Sequence, residues 1–342
     1  YILLTLSLVW LVGDVVIERT FKERKLAMPV LVIGNGLAGL NALSLLTTAP
    51  ANEAANCFGV YAAFYALYAW LHKKPMIGYA TTSALALAVF FGLRAANQNQ
   101  WLLPLIALAV VYYAAGYFLR RAGKAQGWEM MLLFSGLGLG TLVALAAPFQ
   151  TGGLEKAIPI ALAATFYAAE AFARKNVWLG FPTNGLYLMA YFVILSELKV
   201  DEPQFFSVGA AALGLLMHYL LTRAGNKTTA FLTGVVSQLV LFSTTYIQMI
   251  GNKDLTYFFV LFFQALVVLI YGIVARSRSL VIAPISFVVL AVITVLYNAL
   301  KDLSLVFIIG ITGIILLSLG ILAVVMRERI TTLAERFGDW EA

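Results

Sequence analysis

The chain has 342 residues, of which 62% are hydrophobic and 11% charged, with a formal net charge of +7. A soluble domain of this length carries about 25% charged residues, so the composition excludes a chain whose surface faces water throughout. The positive balance does not point to nucleic acid either, because the charges fall in short clusters at the ends of apolar runs and form no continuous face.

Apolar runs of about 20 residues, each long enough to cross roughly 30 Å of hydrocarbon, repeat from end to end. Such runs must fold as helices, since each backbone amide has to be satisfied within its own segment. In chain order the predicted spans are 1–17, 27–48, 54–72, 76–96, 101–119, 128–148, 154–173, 177–197, 203–222, 228–250, 254–275, 279–299 and 302–326. The expected fold is all-α: a polytopic integral membrane protein with about 13 transmembrane helices. The array fills residues 1–326, and 327–342 form an amphipathic tail in which Ile330, Leu333 and Phe337 share a helical face.

The first span opens on Tyr1 inside an apolar run, without Met or a basic leader, and the chain is expected to be part of a longer one. Asp14 lies a turn before Glu18 and Arg19 near the end of this span, where it can pair or reach the interface. It is not the Asp of a G-x-G-D motif, because Leu11 stands at the first glycine position. In the second span Gly34, Gly36 and Gly39 satisfy G-x-G-x-x-G. A dinucleotide site needs a following helix and a second strand ending in an acid, and here Thr-Thr-Ala-Pro leads into another apolar run. These glycines, and Gly136, Gly138 and Gly140, are expected to let helices approach closely. One cysteine, Cys57, excludes an internal disulfide framework and a cysteine zinc site. His72 belongs to a basic loop and is expected to be solvated.

Four further positions carry candidate chemistry. Glu170 is four residues before Arg174, on the same helix face. Phe181-Pro182-Thr183-Asn184-Gly185 is the best candidate for a broken helix, because proline removes a donor and Thr and Asn can re-satisfy the freed carbonyls. Such breaks form substrate sites in transporters or merely shape packing, so Pro182, Thr183 and Asn184 are a substrate or packing site. His218 sits about a turn before Arg223, where it would bond a neighbour or headgroup, or ligate haem or a pigment. Ser237, Gln238 and Gln264 add polarity within their spans. H-E-x-x-H and G-x-S-G do not occur, and neither a cofactor nor a metal is expected.

The loops alternate in charge. Those holding Arg19 to Lys25, Lys73 and Lys74, Arg120 to Lys124, Arg174 and Lys175, Arg223 and Lys227, Arg276 and Arg278, with the tail from Arg327, carry 18 of the 23 Lys and Arg residues. This bias places them in the cytoplasm, with the amino end outside and the carboxyl end inside. One basic marker per loop, Lys25, Lys74, Lys124, Lys175, Lys227, Arg278 and Arg329, recurs at intervals of 49, 50, 51, 52, 51 and 51 residues. Fixed spacing of this kind marks a repeat, here an out-and-back hairpin between successive markers, with residues 1–17 as a returning half. Tyr68, Tyr117, Tyr167, Tyr219 and Tyr271 stand six to eight residues before their markers, a depth that suits the headgroup boundary.

Tandem hairpins with short basic turns, Ala/Leu/Gly-rich helices and an Arg-Glu-Arg tail resemble large uncharacterised bacterial multi-pass membrane proteins of the domain-of-unknown-function type. The resemblance covers most of the chain and implies a bacterial inner membrane, without carrying any functional residue. The expected function is a non-catalytic scaffold that binds lipids or protein partners of a membrane complex. The alternatives are a transporter or lipid flippase using Pro182 to Gly185, and an accessory subunit of a redox or pigment complex.

Overall fold

The computed structural model describes residues 1–21, 24–123, 127–252 and 255–300, with the main chain alone at 24–26 and 299–300. Among these residues the long elements are helices α1 (Ile2–Phe21), α2 (Arg24–Thr47), α3 (Ala51–His72), α4 (Pro75–Ala95), α5 (Leu102–Ala122) and α6 (Trp128–Ala146). They continue as α7 (Ala157–Arg174), α8 (Gly180–Glu197), α9 (Pro203–Arg223), α10 (Lys227–Asn252), α11 (Leu255–Ala275) and α12 (Ser279–Leu300). Short 3₁₀ turns at Ala147–Phe149, Leu154–Lys156 and Val177–Leu179 extend α6, α7 and α8.

Eleven of the twelve helices are long and apolar enough to cross a bilayer. The remaining one, α1, has the length but crowds Asp14, Glu18 and Arg19 into its last turns. The expected thirteenth span at 302–326 and the tail at 327–342 lie outside the described residues.

The chain divides into two compact units, Tyr1–Tyr167 and the part from Ala168 onward, with the boundary inside α7. In the first unit α1 packs on α2, α3 on α4, and α5 on α6, with α4 also against α6. In the second, α9 packs on α10 and α11 on α12, and α10 reaches both α11 and α12. The close pairs are therefore joined through the basic turns, whereas α2 and α3, or α4 and α5, touch far less. The sequence reading paired helices between successive markers and left residues 1–17 without a partner. Instead α1 has α2 as its partner.

Small residues explain this choice. A Cβ placed on Gly34 of α2 would stand 2.9 Å from Leu11 Cγ of α1. One on Gly116 of α5 would meet Leu133 N at 2.7 Å, and one on Gly136 of α6 would meet Tyr113 N at 2.7 Å. One on Gly272 of α11 would meet Leu280 O of α12 at 2.7 Å. In lipid there is no hydrophobic drive between helices, so such close backbone approach supplies the packing energy.

The helices also end alike at the basic turns. Lys73, Gly123, Lys175, Gly225 and Arg276 all have left-handed backbone, at φ 50°, 67°, 51°, 79° and 50°. At four of these ends the residue after it donates back across the cap in a Schellman pattern: Lys74 N to Ala69 O, Asn176 N to Ala171 O, Asn226 N to Leu221 O and Ser277 N to Gly272 O. The left-handed residues are 50, 52, 50 and 51 positions apart.

Candidate functional site

In the first unit the polar chemistry is strung along one face of α3. Tyr61, Tyr65, Tyr68 and His72 follow a helical spacing of four, three and four residues, which stacks them on one stripe. Each finds a partner on α1 or α2. Tyr61 OH is 2.8 Å from Ser7 Oγ and accepts from Asn41 Nδ2 at 2.9 Å, all three residues buried. Tyr65 OH donates to Asn35 Oδ1 at 2.9 Å, and Tyr68 OH donates to Asp14 Oδ2 at 2.6 Å.

The stripe ends at His72, whose Nδ1 lies 3.4 Å from Glu18 Oε2 and whose ring stacks 4.2 Å from that of Tyr68. Its side chain is only 15% exposed, so the expected solvated histidine is instead packed between α3 and α1. His72 Nε2 is buried with no hydrogen-bond partner among the described residues. Asp14 thus has a partner 54 positions away on α3. A carboxyl buried on a membrane helix needs such a donor, because no water replaces it.

A cleft of about 530 Å³ opens between α4, α5 and α6, within the first unit. Tyr79, Thr82, Ser83 and Ser135 line the part toward the basic turns. Its wall is fixed by Thr82 Oγ1, 2.8 Å from Ser135 Oγ, and by buried Tyr112, whose OH donates to Thr82 O at 3.1 Å. Toward the other end the lining becomes Leu87, Phe90, Trp101 and Leu142, wholly apolar apart from the indole N–H. Phe90 and Trp101 meet edge to face at 5.3 Å, and the Arg94 guanidinium lies 5.9 Å from the Phe90 ring centroid. Gly138 forms part of the lining, and a Cβ there would meet nothing within 4 Å.

In the second unit the residues singled out from sequence are spread over five helices, α7 to α11. Glu170 on α7 is buried and accepts from Arg174 Nε at 2.6 Å. Pro182 falls in the first turn of α8, which runs unbroken from Gly180 to Glu197. The expected broken helix is therefore a helix start, where the missing proline N–H has no helical acceptor to lose. Thr183 is buried and donates to Leu179 O at 2.8 Å, while Asn184 Nδ2 is buried without a partner among the described residues.

His218 on α9 is buried, with Nδ1 3.1 Å from Tyr271 OH of α11. It bonds a neighbour, one of the roles expected for it. Close by in α10, fully buried Gln238 donates from Nε2 to Gly234 O at 3.0 Å and to Ser279 O at 3.2 Å. Thr245 and Gln264 form a further pair at 2.8 Å.

Of the aromatic rings expected at the headgroup boundary, Tyr117 and Tyr219 are exposed, at 44% and 47%. Tyr68, Tyr167 and Tyr271 instead turn their hydroxyls onto Asp14, Thr141 and His218. The glycine fingerprint is likewise mixed, since α2 is an uninterrupted helix in which Gly34 packs on Leu11 while Gly36 and Gly39 meet nothing within 4 Å. No family model, curated protein or solved structure matches the chain.

Proposed function

We propose that this protein is a multi-pass scaffold of the bacterial inner membrane, built from tandem helical hairpins of about 51 residues. On this reading it has no catalytic activity of its own and binds lipids or protein partners through its helix faces. On the same reading the basic turns face the cytoplasm. The texture shared with large uncharacterised bacterial multi-pass proteins agrees with it.

One observation carries the proposal. The left-handed residues that close the helices at the basic turns, Lys73, Gly123, Lys175, Gly225 and Arg276, recur with the period of the basic markers, and Asn97 and Lys199 close α4 and α8 in the same way at the opposite loops. Side-chain pairs echo the period within each unit: Ser7–Tyr61 and Asp14–Tyr68 are 54 apart, and Thr82–Ser135 and His218–Tyr271 are 53 apart. A helix thus bonds to its counterpart in the next hairpin, as in a solenoid, where each repeat contacts its neighbours and the stack offers long binding faces.

The transporter reading is less well supported, since α8 is unbroken at Pro182, although the unpartnered Nδ2 of Asn184 is a group a substrate could engage. Purification from native membranes and reconstitution into vesicles separates the two. A scaffold retains lipid or a stoichiometric partner and gives only leak-level solute uptake. Saturable uptake of a defined solute, lost in Asn184→Ala, would overturn the scaffold.

A further inference from the structure

We propose that the cleft between α4, α5 and α6 is a binding site for one acyl chain of an anionic phospholipid, drawn from the leaflet at the basic turns. This rests on the membrane reading and on neither the repeat nor the scaffold role.

The lining sets the direction in which the lipid lies. With a helical rise of about 1.5 Å per residue, Tyr79, Thr82 and Ser83 sit roughly 6 to 12 Å from the start of α4 at Pro75. Ser135 is about 10 Å along α6 from its start at Trp128. Those depths fall in the upper chain region of one leaflet, which is half of about 30 Å of hydrocarbon. Deeper along the cleft, Leu87, Phe90 and Leu142 offer only hydrocarbon, which suits the chain.

Charge selects the headgroup. The three lining helices all reach basic turns at this end, with Lys73 and Lys74 before α4 and Arg120 and Arg121 closing α5, against Arg94 beside Phe90 at the opposite end of α4. Basic residues beside a membrane surface attract anionic lipid by about 1 kcal/mol each. The volume of about 530 Å³ falls in the range of small-molecule sites, roughly 300 to 1,000 Å³. It suits one chain better than a whole lipid, whose second chain stays in the bilayer.

Gly138 provides a variant that fills the cleft without disturbing the fold. It lies mid-helix in α6, and a side chain there enters open space. The protein is placed in phosphatidylcholine nanodiscs containing a few mole per cent of phosphatidylglycerol brominated near the methyl end of its chain, since Phe90 beside Trp101 lies about 22 Å from the start of α4. The Trp101 signal is taken as the difference from Trp101→Phe. Expected is quenching of Trp101 at least threefold above that of bulk bromolipid at the same mole fraction, falling to the bulk level in Gly138→Phe. Gly36→Phe, which also enters open space but on α2, keeps the excess. Bulk-level quenching in the unaltered protein, an equal excess in Gly138→Phe, or an equal excess from brominated phosphatidylcholine would each overturn the site. Failure to insert into the nanodisc would instead count against the membrane reading, so the two failures are distinguishable.

Discussion

At the scale of single residues, several buried polar groups, Ser7, Asp14, Asn41, His218 and Gln238 among them, are paired across helices. Tyr68 shows why the pairing matters. Its hydroxyl is 2.6 Å from Asp14 Oδ2, and Asp14 is buried. Side-chain hydrogen bonds in membrane proteins average only about 0.6 kcal/mol, because the unfolded chain in lipid finds other partners. Removing a donor from a buried acceptor is different, and costs about 1 to 3 kcal/mol. Tyr68→Phe is therefore expected to destabilise the protein by about 1 to 3 kcal/mol. Tyr65→Phe, on the same stripe but bonding exposed Asn35, is expected to cost under about 1 kcal/mol. Denaturant titration in detergent micelles checks the order, and equal losses would show that Asp14 does not depend on Tyr68. The sequence reading singled out only two members of this stripe, Tyr68 as a headgroup ring and His72 as a solvated loop residue, although all four stand at helical spacing. What sequence could not supply was the partner set, since Ser7, Asn41 and Asp14 reach that face only once α1 and α2 have docked.

At the scale of helices, the same motif contains glycines with opposite roles. Gly136 and Gly138 are two residues apart in α6 and so point to different sides. A Cβ on Gly136 would stand 2.7 Å from Tyr113 N and 2.9 Å from Ala109 O, both main-chain atoms of α5 that cannot rotate away. Gly138 faces the cleft, where nothing lies within 4 Å. Gly136→Ala forces α5 and α6 apart and is expected to cost about 1 to 3 kcal/mol, the usual range for overpacking. Gly138→Ala removes a poor helix former and is expected to be neutral or stabilising by up to about 1 kcal/mol. Thermal unfolding of the two variants in one detergent gives the comparison, and a Gly138→Ala loss as large as that of Gly136→Ala would contradict the open space. A run such as Gly136-Leu-Gly-Leu-Gly140 reads in sequence as uniform packing. The distinction depends on which neighbour each side meets, and that is a property of the docked helices.

At the scale of the whole molecule, the spans were legible because length and apolarity are local properties of a run, and Ala27–Thr47 or Ser279–Asn298 needs no tertiary context to be recognised. Pairing was not, because marker spacing is the same whether a hairpin closes at its basic turn or at the opposite loop. Gly34, Gly116 and Gly272 decide it by permitting contact across the basic turn. Sidedness follows from charge alone and is open to a direct test. Cys57 is buried, at 1% exposure, so the protein carries a silent cysteine and each new one reports on its own. Asn99 and Glu202 are exposed in loops away from the basic turns, whereas Ala122 and Ala224 are exposed at them. If the basic turns are cytoplasmic, an impermeant maleimide added to intact cells labels Asn99→Cys and Glu202→Cys, and reaches Ala122→Cys and Ala224→Cys only after permeabilisation. The reverse pattern inverts the protein in the membrane. Labelling of Asn99→Cys together with Ala224→Cys in intact cells would break the alternation itself. The five helices between those two positions, α5 to α9, would then have to cross an even number of times, and the tandem hairpin reading would fall with it.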